Sequence, residues 1–93
     1  MYSIQQGDLV ISKVGRDSGQ TFLVLKVENN VVYIVNGKER KVSNPKKKNV
    51  KHLEKIFNVS LIKLAEKINN GERVGNKTVY RNLKAEKEKL QED

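Results

Sequence analysis

The chain has no cysteine, no tryptophan, one proline and one histidine. Without cysteine there is neither a disulfide framework nor a thiolate metal site. His52 alone cannot build a zinc centre. The carboxylates are scattered, and no Ser/His/Asp or Cys/His arrangement can be assembled from the residue order. The expectation is a non-enzyme, with no metal, no cofactor and no small-molecule substrate. Three tyrosines and two phenylalanines are the whole aromatic content. That is too few for the stacking platform with which sheet proteins bind single-stranded RNA. Long apolar runs are also missing; none approaches the roughly 18 residues of a membrane helix. The opening MYSIQQGDLV has no basic leader and no apolar signal core. A soluble, cytoplasmic protein without a membrane partner is expected.

What is abundant is positive charge. The 93 residues carry 19 Lys+Arg against 11 Asp+Glu, net +8. Lys38 to Lys55 alone holds eight Lys/Arg against two Glu, net +6. Charge gathered in this way points to a polyanion, and nucleic acid is the first candidate. With 37% hydrophobic residues the chain can fold one small domain around a thin core.

Two periods divide the chain. Residues 1–57 read as β structure. Asp8–Lys13, Thr21–Val27 and Val31–Val35 are short, apolar and rich in β-branched residues. Asn29-Asn30 suits a tight turn, and Asn36-Gly37 is a strong type I′ hairpin signal. A fourth strand is expected over Glu39–Val42, ended by Pro45, which lacks a ladder N–H. A last strand or turn falls within Val50–Ile56. Four or five short strands in this length suggest a small closed barrel of the SH3-like type. From Ser60 the pattern is helical, and residues 58–93 are expected to form a helical C-terminal extension. Leu61, Leu64, Ala65 and Ile68 share one helix face. Ser60 is the expected N-cap, and Asn69-Asn70-Gly71 the stop. A second helix is expected from about Asn76, with Val79, Leu83 and Leu90 as a sparse apolar stripe and a fraying tail over Glu86–Asp93. The fold class expected is mainly β with α, a barrel followed by a C-terminal helical hairpin packed against it.

Gly7 to Val27 runs as strand, glycine-bracketed turn, strand. Gly15 and Gly19 bracket the turn, and Lys13 and Arg16 put charge on it. This stretch resembles the KOW motif, with Gly37 standing where that motif's closing glycine belongs. The likeness continues through Asn36-Gly37-Lys38-Glu39-Arg40-Lys41 and Asn44-Pro45-Lys46-Lys47-Lys48-Asn49-Val50-Lys51-His52-Leu53. Here the chain is similar to small bacterial KOW-domain RNA-binding proteins, themselves similar to a KOW-containing large-subunit ribosomal protein of archaea and eukaryotes. That family usually has Asp-Gly where this chain has Asn36-Gly37; both suit the same turn. The helical part matches less well, and no function is carried over to it. The resemblance implies an SH3-like barrel and RNA binding, above all to large-subunit ribosomal RNA, with ribosomal proteins as further neighbours.

The residues supply a physical reason of their own. Pro45 is expected to hold Lys46, Lys47 and Lys48 on a defined path, where ammonium groups meet phosphates and release counterions. Lys38, Arg40 and Lys41 stand on the neighbouring hairpin, Lys51 and His52 just beyond the run, and Lys13 and Arg16 on the first turn. These ten are the candidate RNA contacts. Gly15, Gly19, Gly37 and Pro45 are the structural turn positions. Tyr33 reads as a strand core residue with a wet hydroxyl, and Tyr80 as a partly exposed packing residue.

Two other classes fit parts of the pattern. A protein-interaction module of the transcription or translation machinery would use the barrel surface. DNA binding would use the C-terminal helices, where Lys77, Arg81 and Lys84 share a face. Gly71–Thr78 only faintly resembles a phosphate-binding loop. It has three residues between its glycines instead of four, and Asn76 separates Gly75 from Lys77.

Overall fold

The structure, a computed structural model, describes residues 3–90, and the backbone alone of Leu90. Its elements are β1 (Asp8–Ser12), β2 (Thr21–Glu28), β3 (Val31–Val35), β4 (Lys46–Asn49), a single 3-10 turn at Val50–His52, β5 (Leu53–Ser60), α1 (Ile62–Asn69) and α2 (Asn76–Leu90). The fold is β-rich and mixed. Five antiparallel strands stand in the order β4-β3-β2-β1-β5, accompanied by two helices. No helix among the described residues is long and apolar enough to cross a membrane.

Strand alternation places apolar side chains on both faces of the sheet. Val10, Phe22, Val24, Val32, Ile34 and Leu53 form an inner core. Leu9, Leu23, Leu25 and Val35 form an outer one, closed over by Ala65 of α1 and by Val79 and Leu83 of α2. This explains the unbroken burial of Phe22–Leu25, since a strand covered on both faces has no solvent side to mark with polar residues. Each fully buried side chain of this size contributes about 1.5–3 kcal/mol, so the helices complete half of the core. Their strongest contacts are with β2.

The sheet is strongly curled. Lys48 on β4 donates hydrogen bonds to Ser12 Oγ at the end of β1 (2.6 Å) and to the Val14 carbonyl just beyond it (2.8 Å). In a flat sheet these strands would stand about 14 Å apart, three strand spacings, beyond a lysine's reach. The ladder nevertheless stays open, with β4 and β5 as its two edges.

Several local expectations hold. Asn29-Asn30 forms the two-residue turn between β2 and β3, with Asn29 at φ 56°. Helix α1 ends in a Schellman motif: Gly71 (φ 80°) donates to the Ile68 carbonyl and Glu72 to that of Lys67.

Others need correction. Glu39–Val42 is not a strand. Asn36 Oδ1 accepts from the backbone N–H of both Lys38 (3.0 Å) and Arg40 (2.9 Å), and the Val42 N–H donates to Asn76 Oδ1 of α2 (2.7 Å). Backbone groups that a strand would have paired are taken by side chains, locally by Asn36 and at long range by Asn76. The fourth strand is instead the lysine run itself, and Pro45 precedes it where it was expected to end one. Ser60 is the last residue of β5 and does not cap α1, whose N-cap is Leu61 without a side-chain hydrogen bond. The helix start is anchored to the sheet instead: Leu61 N–H donates to the Gly7 carbonyl (2.7 Å). Strand β5 also runs through the boundary expected at residues 57 and 58, bulging where Asn58 takes φ 64°. α2 stays helical through Glu86–Leu90, where fraying was expected; residues 91–93 and the Leu90 side chain lie outside the described residues.

Candidate nucleic-acid interface

In this antiparallel order β1 ends, β2 begins, β3 ends and β4 begins at one end of the sheet. The loops 13–20 and 36–45 therefore emerge side by side. Asn36 Nδ2 lies 3.5 Å from Gln20 Oε1, and Lys46 Nζ donates to Asp17 Oδ2 at 2.8 Å. The 3-10 turn joins the same end, because Leu53 pairs with Ser12 and the Lys13 N–H donates to the His52 carbonyl (2.9 Å). Lys13, Arg16, Lys38, Lys41 and Lys51 are exposed there, and Arg40 and His52 are half-buried. Glu39 is the exposed acid of these loops.

The lysine run does not stand with them as a unit. As a strand it alternates. Lys46 and Lys48 pair with Ile34 and Val32 and so face inward, whereas Lys47 pairs with Tyr33 and faces outward. Lys48 is 8% exposed. Its ammonium donates to Asp17 Oδ1 (2.6 Å) as well as to Ser12 Oγ and the Val14 carbonyl. Ser12 Oγ lies 2.8 Å from the same Asp17 oxygen. Burial by itself would push the Asp17 carboxyl up. Hydrogen bonds from Lys46, Lys48 and Ser12, reinforced by the charge of Lys48, outweigh it and hold the group far below the usual carboxylate range. Asp17 thus neutralises part of the run and clamps the first loop onto β4. Lys55, which closes the cationic stretch, is paired with Asp8 at 3.3 Å.

Lys47 belongs to a separate row on the outer face. Its ammonium lies 5.7 Å from the Tyr33 ring centroid, and that of Lys26 lies 4.5 Å from it. The Tyr33 hydroxyl donates to Glu28, which raises the phenol; that bond, with the charge of Lys26, lowers the carboxyl. Tyr33 is half-buried, as expected of a core residue with a polar tip.

The turn positions are used in different ways. Gly15 and Gly19 both take positive φ in the first loop. Gly37 has φ 78° and also lies against α2: a Cβ there would overlap the Asn76 carbonyl and stand 3.0 Å from the Tyr80 nitrogen. Sequence reasoning missed Asp17 as counter-charge. Its signal was present, a lone acid in the basic turn Arg16-Asp17-Ser18, but its partner depended on the curl of the sheet. It also missed that α2 borders the loop end. On α2, Lys77, Arg81 and Lys84 are exposed, while Val79 and Leu83 are committed to the sheet.

No protein-family model matches the chain, and no curated protein matches it in sequence.

Proposed function

We propose that this protein binds structured RNA through the loop end of its sheet, as a ribosome-associated or assembly factor docking on ribosomal RNA. The observation that carries this reading is the convergence of Lys13, Arg16, Lys38, Arg40, Lys41 and Lys51 from three segments onto one end, against a single exposed acid in the two loops. Such a cluster neutralises phosphates and gains affinity from released counterions. The Asp17 clamp holds the first loop against β4, so the charges are displayed at set spacing, and rigid display favours a folded RNA over a flexible strand. In this reading the sheet is a KOW-type, SH3-like barrel and the helices are its appended hairpin. Its support is a four-strand meander followed by one 3-10 turn and a last strand returning beside β1, with curl enough to bring β4 side chains to β1.

The test is binding to an RNA hairpin across a salt series. Four to six phosphate contacts give a log–log slope of roughly −3 to −5. Replacing Lys13, Arg16, Lys38 and Lys41 together by Gln lowers affinity by more than about tenfold and flattens the slope by about three to four. Lys47→Gln, on the outer row, changes affinity by less than about twofold, as the loss of one peripheral contact would. A flat slope, or salt-insensitive capture by a protein partner, refutes the RNA reading. Migration with large ribosomal subunits in a sucrose gradient, lost at high salt, distinguishes ribosomal RNA from free RNA.

A further inference from the structure

The groove between the second loop and α2 is unassigned by the reading above, which uses only the loop cations. Its volume is about 550 Å³, within the range of sites that hold one small molecule or one nucleotide. One wall is Gln20, Thr21 and Asn36 at the loop end of the sheet; the other is α2. Tyr80, Lys84 and Lys87 line the helical wall, at i, i+4 and i+7. Tyr80 is 40% exposed. Lys38 Nζ, from the facing loop, lies 5.9 Å from its centroid. That distance is at the outer limit of a cation–π contact, so the ring face is held loosely enough for a flat group to displace the lysine.

We infer that this groove takes a single unpaired nucleotide of the bound RNA, its base stacked on Tyr80 and its phosphates among Lys38, Lys84 and Lys87. Three observations select that occupant. Lys38 belongs both to the groove and to the proposed RNA surface, so the two are continuous. An aromatic ring beside lysines is the chemistry of base stacking with phosphate contact, tolerant of base identity. Glu39, whose Oε1 accepts from Asn36 Nδ2 (3.1 Å), and Glu88 also line the groove. They disfavour inorganic phosphate alone, and they can accept from an exocyclic amino group or a 2′-hydroxyl. Backbone geometry sets the wall spacing. Gly37, without a Cβ, lets the loop touch the α2 backbone at Asn76 and Tyr80, and Asn76 Oδ1 holds the Val42 N–H at 2.7 Å. On this inference the C-terminal helices are part of the RNA site, extending it from duplex shape to a bulged or flipped residue.

The inference rests on the RNA reading, and the experiment separates the two. A fully paired RNA hairpin and the same hairpin with one bulged 2-aminopurine are titrated with the full chain. The expected result is tighter binding of the bulged hairpin, by about tenfold, with fluorescence quenched as the base stacks. Tyr80→Phe keeps both effects. Tyr80→Ala removes both and leaves the paired hairpin bound as before when titrated well below its thermal midpoint, which the loss of a more than half-covered ring lowers by several degrees. Equal, unquenched binding of the two hairpins overturns the inference while leaving the RNA reading intact. Quenching that survives Tyr80→Ala overturns the assignment to this ring. Quenching of free 2-aminopurine nucleotide as strong as that of the bulge overturns the continuity with RNA. Failure of both hairpins to bind overturns the RNA reading and this inference with it.

Discussion

Replacing Asp17 by Asn tests the clamp that holds the first loop to β4. The substitution keeps the shape of the side chain and removes its charge. Lys48, 8% exposed, then keeps only neutral acceptors: Ser12 Oγ, the Val14 carbonyl and the new amide oxygen in place of Asp17 Oδ1. Lys46 loses its partner at 2.8 Å. Breaking a buried pair by removing one member costs about 3–5 kcal/mol, most of it the stranded charge. Asp17 lies near the rim of the curl, where Lys46 keeps 28% of its side chain exposed, so about 3 kcal/mol is the appropriate end. For a domain of this size that is a large fraction of a total near 5–14 kcal/mol, and it lowers the thermal midpoint by about 12–24 °C. The double variant Asp17→Asn with Lys48→Met removes the stranded cation and recovers most of the loss, because buried pairs are often replaceable by apolar groups at little cost. Thermal and urea melts followed by circular dichroism read both effects. A shift below about 2 °C for Asp17→Asn, or a double variant as unstable as the single, refutes the argument. The same reasoning excludes charge reversal of Lys48 as a test of RNA binding, since it would unfold the sheet end that displays the other cations.

The clamp also predicts a pH dependence. The folded Asp17 carboxyl binds its proton less readily than the unfolded one, because of its hydrogen bonds from Lys46, Lys48 and Ser12. Its stabilising contribution is therefore whole above the unfolded value near 3.9 and declines as pH falls from there toward the folded value. Urea midpoints measured from about pH 6 down to about pH 2 fall more steeply for the native chain than for Asp17→Asn; parallel curves would assign the acid sensitivity to other carboxylates. Gly37→Ala combines a positive φ with overlap against the Asn76 carbonyl, and it destabilises by more than about 1 kcal/mol. Hydrogen exchange then quickens in α2 and at the Val42 amide more than in β1 or β2; uniform or absent acceleration would mean that the loop and α2 are not held together at this point.

Much of the fold is legible from residue order. Alternating or continuous apolar runs mark β1, β2 and β3, the Asn pair marks the turn between β2 and β3, and the change of period from Ser60 marks α1 with its glycine stop. These are local properties, set by a few neighbouring side chains and the backbone conformations they permit. The stretch from Asn36 to Asn49 departs from its local signals, because its outcome depends on partners far along the chain, whereas the strand or turn expected within Val50–Ile56 is met by the 3-10 turn and β5. Asn76 of α2 takes the Val42 N–H, so the segment after Gly37 stays a loop. The lysine run pairs with β3 and becomes a strand that propensity alone would not choose.

The sequence by itself determined that this chain would be a cysteine-free, strongly basic, β-rich domain with two C-terminal helices. Composition and short-range periodicity are enough to settle those properties. Only the tertiary structure decided which cations are available. Strand alternation turned Lys46 and Lys48 inward and Lys47 outward, and the curl of the sheet brought Asp17 to the inward pair. The loops carrying Lys13, Arg16, Lys38 and Lys41 met because antiparallel pairing brings them to one end. A charge count treats all these lysines alike; a pleated, curled sheet sorts them by the direction of each Cβ and by what stands opposite.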